Sequence, residues 1–189
     1  SHVTRIPTLG GVAVYLSILS TIMCFGTFFN TNTMMMFLAS ISILLFLGLK
    51  DDLLVLSPRK KFLIQILVGL LFVMSTDIRI TSLFGLFQIY TIPYLHSVAF
   101  SLFVIVLIIN AFNMIDGIDG LAAGFGVLAT FLLSILHYFE NQIGLGVIGF
   151  SIVGSLIAFL RLNLSERRKM FMGDTGSMIV GFCIAILVI

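Results

Sequence analysis

The sequence has 189 residues, of which 60% are hydrophobic and only 10% are charged. A chain of this size cannot bury so many apolar side chains in one water-soluble core, so the composition excludes an ordinary soluble domain. The formal net charge of +2 is small, and in a membrane protein the side on which the charges lie is more informative than their sum.

Seven apolar segments have, or approach, the length needed to cross a bilayer. A spanning helix needs about 20 mostly apolar residues for a hydrocarbon core of roughly 30 Å. The segments are Leu9–Phe29, Thr33–Leu49, Phe62–Thr76, Ile92–Ala111, Leu121–Phe139, Ile143–Leu160 and Thr175–Ile189. They predict an all-α, polytopic transmembrane bundle that forms one membrane domain over residues 1–189. The abrupt start and the stop within an apolar segment indicate a chain truncated at both ends.

The connectors between these segments differ in charge. If the spans alternate in direction, all but one of the basic residues fall on one side, and Arg79 alone lies opposite. The basic side carries Arg5, Lys50, Arg59, Lys60, Lys61, Arg161, Arg167, Arg168 and Lys169, and the positive-inside rule predicts that it is cytoplasmic. On the opposite side, apolar residues alternate on both sides of Gly85, which predicts a short external β-hairpin near residues 78–91.

Five aspartates lie on the same side as the basic residues. They are Asp51, Asp52, Asp116, Asp119 and Asp174. Clustered carboxylates repel one another, and a divalent cation or nearby Lys and Arg side chains offset this repulsion. Mg²⁺ prefers oxygen ligands together with substrate phosphates, whereas the three histidines are too scattered for a zinc site. We expect a Mg²⁺-dependent phosphotransferase site, with Mn²⁺ as an alternative ion; the competing interpretation is solvated pairing with neighbouring basic residues.

Glycines frame the acids in two of the connectors. The segment Asn113-Met-Ile-Asp-Gly-Ile-Asp-Gly120 alternates acids with glycines between two apolar helices. Glycine lets the backbone turn sharply and lets a ligand approach, and the N–H groups that open the next helix can face a phosphate. In Gly173-Asp-Thr-Gly-Ser177 a single acid is framed in the same way, and the alternative there is an ordinary helix N-cap.

Four motifs together resemble the polyprenyl-phosphate N-acetylhexosamine-1-phosphate transferases, glycosyltransferase family 4. They are Pro7-Thr-Leu-Gly-Gly11, Asp51-Asp52, Asn110-Ala-Phe-Asn-Met-Ile-Asp-Gly-Ile-Asp-Gly-Leu-Ala122 and Phe171-Met-Gly-Asp-Thr-Gly-Ser177. The resemblance covers nearly the whole chain. It implies transfer of a sugar-1-phosphate from a UDP-sugar to a membrane polyprenyl phosphate, with release of UMP, at the start of cell-envelope polymer synthesis.

Within that family, Asn110–Leu121 and Glu166–Asp174 look closer to the bacterial type that transfers GlcNAc-1-phosphate from UDP-GlcNAc to undecaprenyl phosphate, as in lipopolysaccharide synthesis. The phospho-MurNAc-pentapeptide transferases of peptidoglycan synthesis are the alternative. The resemblance also implies a multi-pass protein of the inner (plasma) membrane with a cytoplasmic active site. Its expected partners are a UDP-sugar, a polyprenyl phosphate and a second copy in a homodimer, without nucleic acid.

The resemblance implies roles for three of the aspartates. Asp174 is similar to the principal Mg²⁺ ligand of the family, where the metal neutralises charge on the leaving UMP. Asp51 is similar to the aspartate that positions the polyprenyl phosphate or takes a proton from it, and Asp52 supports Asp51 or the metal. Asp51 and Asp52 are therefore expected as catalytic residues and Asp174 as the metal ligand.

The resemblance also implies a set of substrate-binding residues. Asn113, Asp116 and Asp119 match positions that line the nucleotide-sugar site. Phe171 is similar to an aromatic residue that stacks on uracil. Lys61 is similar to a lysine near the phosphates, and its alternative role is that of a positive-inside anchor.

An ion-coupled secondary transporter is the competing class of function, since acidic residues and glycine-broken helices also serve transport. Transporters place such acids near the middle of the membrane. All five aspartates here lie at segment ends on one side, which favours chemistry on a substrate at the membrane surface.

Overall fold

A computed structural model describes residues 10–28, 30–166 and 169–189. In this part of the chain the regular structure is entirely helical, which confirms the all-α prediction. The α-helices are α1 Gly10–Phe25, α2 Thr31–Leu54, α3 Pro58–Thr76, α4 Tyr94–Ile115, α5 Leu121–Phe139, α6 Ile143–Asn163 and α7 Gly173–Val188, and short 3-10 helices occupy Gly26–Phe28 and Leu86–Gln88. The predicted residues Arg5, Pro7, Thr8, Leu9, Arg167 and Arg168 lie outside the described residues.

Five helical segments are long and apolar enough to cross a membrane: Gly10–Phe28, Thr31–Leu54, Tyr94–Ile115, Leu121–Phe139 and Ile143–Asn163. The chain is therefore an integral membrane helical bundle. These are fewer than the seven predicted segments, because α3 opens with three basic residues and α7 has only 16 residues. At 1.5 Å per residue α7 is about 24 Å long, which is shorter than a typical hydrocarbon core.

Helix α7 lies at the centre of the bundle, in contact with α1, α2, α4 and α5. All of its residues from Thr175 to Leu187 are buried. Phe182 packs against Phe37 of α2 and Phe72 of α3, with ring centroids 6.2 and 5.6 Å apart. Because α7 is apolar on every side, surrounding helices have to cover it. This central position brings its first turn to the point where the ends of several helices meet.

Glycines of α1 and α2 contact the backbone at the start of α7 and hold it in place. A Cβ atom on Gly11 of α1 would lie 2.2 Å from the Gly176 nitrogen, and a Cβ atom on Gly48 of α2 would lie 2.3 Å from the Thr175 Cα. Neither site has room for a side chain, because the neighbouring atoms belong to the backbone. Small residues at the start of α1 thus permit close packing of α1 against α7.

Helices α3 and α7 run between the same two ends of the bundle as the five spans. We call the end formed by the last turns of α2, α4 and α6 and the first turns of α3, α5 and α7 the site end. At the opposite end, Asn32 donates a hydrogen bond to the Ser75 carbonyl at 2.7 Å and so joins α2 to the last turn of α3. There, too, His137 Nε2 of α5 donates to the Leu187 carbonyl of α7 at 2.9 Å.

The connector between α3 and α4 does not form the predicted β-hairpin. Residues 77–93 contain no strand. The Ile80 N–H donates to Ser101 Oγ at 2.8 Å, and Ser97 Oγ donates to the Ile80 carbonyl at 2.5 Å. The backbone that would form the first strand is thus paired with hydroxyl groups of α4, and positive φ angles between residues 84 and 88 curl the chain. The hairpin prediction is wrong for this reason.

Candidate active site

Asp174 lies in the first turn of α7, and side chains from two neighbouring helices bind its carboxylate. Lys61 Nζ of α3 donates to Oδ2 at 2.9 Å, and Asn113 Nδ2 of α4 donates to Oδ1 at 2.6 Å. Asn113 Nδ2 also donates to Ser177 Oγ at 2.7 Å. The structure thus gathers three predicted site residues from three separate helices. The Asp174 side chain is 31% exposed, so it remains accessible from the site end.

Lys61 forms a second ion pair with Asp51, so one ammonium group lies between two carboxylates. The Asp51 side chain is only 2% exposed, and its other oxygen accepts the Leu56 N–H at 2.6 Å. A carboxylate this deeply buried needs such partners, because an unpaired charge out of water is costly. Lys61 is therefore directed inward to the acids, unlike a simple positive-inside anchor, and the group Asp51, Lys61 and Asp174 keeps one net negative charge.

Asp52 caps the first turn of α7. Its Oδ1 accepts the Asp174 N–H at 2.8 Å, and its Oδ2 accepts the Thr175 hydroxyl at 2.6 Å and the Thr175 N–H at 3.3 Å. A carboxylate at this position satisfies free N–H groups and interacts favourably with the helix dipole. Gly173 has a φ of +72°, and a Cβ there would lie 2.8 Å from Asp52 Oδ2. Asp52 thus orients the backbone that carries Asp174, and Asp174 is not itself the N-cap.

Asp116 ends α4 beside these groups and has an altered acidity. Burial, followed by the negative charges of Asp174 and Asp52, raises the pKa of Asp116 to about 7. Gly120, four residues later, has a φ of +76° and lets the chain turn sharply into α5. The glycine-framed segment therefore forms a tight turn at the site end, as predicted. It places near Asp174 an acid whose charge changes around neutral pH.

Asp119 and Phe171 belong to a more exposed group. Asp119, whose side chain is 46% exposed, pairs with Lys169. Lys169 Nζ also lies 5.4 Å from the centroid of the Phe171 ring. The Gly10 N–H donates to the Phe171 carbonyl at 3.3 Å and so fixes this segment against α1. Sequence analysis gave pairing with a basic residue as the alternative role of the aspartates, and Asp119 forms such a pair in the structure.

One buried amide side chain next to the site, that of Asn163, was not predicted from the sequence. Asn163, at the end of α6, accepts the Gly120 N–H at 2.7 Å and donates to the Met170 carbonyl at 3.0 Å. It therefore ties the glycine-framed turn to the segment that leads into α7. Its signal in the sequence is a lone amide between Leu162 and Leu164, which sequence alone does not distinguish from an exposed residue at a helix end.

Two adjoining cavities open beside the central acids. The first, about 480 Å³, is lined by Pro58, Arg59, Lys61, Phe62, Asn110 and Asn113. The second is an apolar groove of about 550 Å³ between α3 and α4, lined by Phe62, Ile66, Ala99, Leu102, Phe103, Val106, Leu107 and Asn110. Because Phe62 and Asn110 line both, a polar region with two cations leads directly into an apolar one.

The donor atoms available to a metal ion are carboxylate oxygens. Among the described residues, no three His, Cys, Asp or Glu side chains lie close enough to enclose a metal by themselves. This arrangement does not suit zinc, which takes four protein ligands in structural sites and three in catalytic sites. It suits Mg²⁺, which uses one or two carboxylates and completes its coordination with phosphates and water. Asp174 and Asp51 flank Lys61 and are the candidate carboxylates, of which Asp174 is the accessible one and Asp51 is buried.

Comparison with known proteins identifies relatives of the whole chain. Residues 34–189 match the family model described as glycosyl transferase family 4. Similar proteins are named undecaprenyl-phosphate alpha-N-acetylglucosaminyl 1-phosphate transferase, with 34% identity in Yersinia pestis and 32% in Escherichia coli O157:H7, over 96% and 97% of this chain and 50% of each relative.

A Bacillus subtilis protein named probable undecaprenyl-phosphate N-acetylglucosaminyl 1-phosphate transferase is 31% identical over 98% of this chain and 51% of its own length. The chain thus spans about half the length of the curated relatives it matches. Because the family model covers most of the chain, including every described site residue from α2 to α7, the chain belongs to glycosyl transferase family 4.

Proposed function

We propose that the protein transfers GlcNAc-1-phosphate from UDP-GlcNAc to undecaprenyl phosphate, releases UMP, and so initiates synthesis of a cell-envelope polysaccharide. The observation that carries the proposal is the convergence of Asp174, Lys61 and Asn113 at one end of a membrane bundle. The names of the relatives support GlcNAc over MurNAc-pentapeptide as the transferred sugar.

The acceptor side of the site is the pair of cavities between α3 and α4. Lys61 and Arg59 line the polar cavity and suit a phosphate, while the adjoining apolar groove suits a polyprenyl chain. Asp51 lies beside Lys61, where it holds the ammonium group in place and is positioned to accept a proton from the lipid phosphate. A lipid that enters from the membrane thus meets cations and a carboxylate at the end of its path.

The donor side consists of the remaining predicted residues. Asn113 fixes Asp174, and Asp116 lies close enough for the Asp174 charge to raise its pKa. Phe171 presents an aromatic ring at the surface of the site end, beside the pair Lys169 and Asp119. We infer that the uracil stacks on Phe171 and that the diphosphate lies toward Asp174.

We assign Mg²⁺ to Asp174, with Asp51 as the second carboxylate, and Mn²⁺ is the alternative ion. When bound, such an ion neutralises the diphosphate and the charge that develops on the leaving UMP. Asp52 contributes indirectly, because it holds the first turn of α7 and therefore the Asp174 carboxylate in position. Lys61 balances the charge of the two acids and orients the acceptor phosphate.

We further infer that the site faces the cytoplasm from the inner membrane. Of the basic residues that the structure describes, Lys50, Arg59, Lys60, Lys61, Arg161 and Lys169 lie at the site end, whereas Arg79 lies opposite. This asymmetry follows the positive-inside rule. Since α3 and α7 extend between the same ends as the five spans, we infer that they also cross the membrane. The homodimer stays a prediction.

The test is UMP release from membranes that contain the full chain, with Mg²⁺ and undecaprenyl phosphate supplied. UDP-GlcNAc and UDP-MurNAc-pentapeptide are compared as donors. We expect release from UDP-GlcNAc that requires the lipid and that chelation of divalent ions abolishes. Preference for the pentapeptide donor would reassign the protein to the sibling class. Absence of release from both donors would reject the proposal and lead to the transporter interpretation.

A further inference from the structure

The loop between α3 and α4 presents an apolar surface at the end opposite the candidate site. Residues 80–95 contain no charged side chain. Within residues 81–92, four apolar or aromatic side chains are largely exposed: Phe84 is 95% exposed, Phe87 81%, Tyr90 70% and Leu86 60%. Such a cluster is unfavourable in water and normally marks a surface that another phase or molecule covers.

We propose that residues 81–92 form an interfacial anchor that inserts into the membrane leaflet opposite the candidate site. The ligand is the lipid surface itself, at the boundary between headgroups and acyl chains. Phe84, Leu86 and Phe87 enter the apolar side of that boundary, and the hydroxyl group of Tyr90 stays at its polar side. The proposal requires only a membrane-embedded bundle and is independent of the proposed function.

The hydrogen bonding of the loop backbone suits a region with little water. The N–H groups of Gly85, Leu86, Gln88, Ile89 and Ile92 donate to carbonyl groups within the loop. The Phe84 N–H donates to Ser82 Oγ at 2.9 Å. A segment that leaves water has to satisfy its polar groups internally, because each unsatisfied group costs free energy. This loop satisfies part of its backbone internally without forming a strand or a long helix.

Two exposed phenylalanines of the loop have backbone conformations that are rare for large side chains. Phe84 and Phe87 have φ angles of +52° and +54°. Positive φ is uncommon for bulky residues and strains the backbone at each position. A Cβ atom on Gly85 would lie 3.0 Å from the ring of Tyr90, so that ring covers the glycine. The loop therefore adopts a strained form in which its largest side chains are exposed, and burial in lipid would offset the cost.

Arg79 anchors the base of this loop. Its guanidinium donates to Asp77 Oδ1 at 2.8 Å and to Ser97 Oγ at 2.9 Å, and its central carbon lies 4.6 Å from the centroid of the Tyr94 ring. A cation and an aromatic ring together are typical of the headgroup level of a bilayer. The loop thus carries charge at its base and none at its tip. This distribution fits insertion into a lipid leaflet better than binding to a soluble protein, because protein interfaces have a polar rim.

The absence of tryptophan from the sequence allows a direct test. Phe84→Trp and Phe87→Trp each introduce a single fluorescent reporter into the full chain, reconstituted in phosphatidylcholine and phosphatidylglycerol vesicles. Glu140→Trp, in the exposed connector after α5 at the same end, is the matched aqueous control. Phe46→Trp, on the exposed side of α2, is the control for acyl-chain depth. Circular dichroism verifies that each variant keeps its helical content.

We expect both loop reporters to emit at shorter wavelength than Glu140→Trp and to resist quenching by iodide. Lipid brominated near the headgroup end of the acyl chain should quench them more than lipid brominated near the terminal methyl group, with the opposite order for Phe46→Trp. Red-shifted emission with iodide quenching equal to that of Glu140→Trp would overturn the proposal. Emission that shifts with the protein-to-lipid ratio would also overturn it, because it would identify a second copy as the covering surface.

Discussion

Lys61 sets the charge balance of the candidate site at the scale of single residues. It lies between Asp51 and Asp174, and a further acid, Asp116, is close enough to Asp174 for that charge to raise its pKa. The glycine-framed motifs predicted Asp116 and Asp174, because acids framed by glycines between apolar segments are unusual, and the family resemblance implied Asp51 and Lys61. The motifs did not predict Asn163, since a lone amide carries no sign of its two buried hydrogen bonds.

Removal of the Lys61 charge should make the protein depend on a divalent cation for stability. Lys61→Met leaves Asp51 and Asp174 without their shared partner, which should lower the unfolding free energy by about 1 to 3 kcal/mol. Added Mg²⁺ should then raise the melting temperature of the variant more than that of the wild type. Lys60→Met, at the exposed neighbouring position, is the control. An equal Mg²⁺ response in all three proteins would contradict this account.

The raised pKa of Asp116 predicts a defined dependence of stability on pH. Since its pKa rises from 3.8 to about 7 on folding, the folded chain binds this proton more tightly than the unfolded chain. The stabilising contribution is complete below the lower value and is lost as pH rises through about 7. Asp116→Asn should therefore gain stability relative to the wild type across that window in thermal unfolding. A difference that stays constant with pH would refute the prediction.

At the scale of elements, the start of α7 determines where the candidate site lies. Asp52 caps it, and glycines of α1 and α2 contact its backbone. The glycine-framed motif predicted an acid at the start of α7. It did not indicate that α7 is the central helix, because all seven helices are strongly apolar and little in their composition distinguishes a lipid-facing helix from a buried one.

The capping role of Asp52 predicts graded effects of substitution. Asp52→Ala removes the three hydrogen bonds that Asp52 accepts from the first turn of α7 and should cost about 0.5 to 2 kcal/mol in unfolding free energy. Asp52→Asn keeps one acceptor oxygen and should retain more stability and more UMP release. If Asp52 were instead the proton acceptor, both variants would be equally inactive, and the difference in melting temperature would not follow activity.

The contact between Gly11 and Gly176 predicts a strong effect of a single methyl group. Gly11→Ala places its Cβ 2.2 Å from a backbone nitrogen, so α1 or α7 has to shift. We expect a loss of about 1 to 3 kcal/mol in stability and reduced UMP release, as overpacking commonly has this cost. Gly154→Ala in α6 is the matched control, because nothing lies within 4 Å of its added Cβ. Equal melting temperatures for the two variants would disprove tight packing.

At the scale of the whole molecule, the bundle places the candidate site at one end and the proposed lipid anchor at the other. Apolar runs predicted every helix, because the bilayer forces backbone groups to be satisfied within each segment. Five of the seven predicted spans have the length and hydropathy of a membrane-crossing helix, whereas α3 starts with basic residues and α7 is short. The hairpin prediction failed because hydroxyl groups of α4 replaced a partner strand, a tertiary effect that alternation of apolar residues does not encode.

The most direct test of the central claim compares UMP release by the wild type, Asp174→Asn and Glu140→Gln. Each is measured with UDP-GlcNAc, undecaprenyl phosphate and Mg²⁺, at equal amounts of folded protein. Asp174→Asn keeps the shape of the side chain at the start of α7 but removes its charge, whereas Glu140→Gln makes the same change at the opposite end. The account predicts loss of UMP release in Asp174→Asn alone. Wild-type release by Asp174→Asn would contradict it.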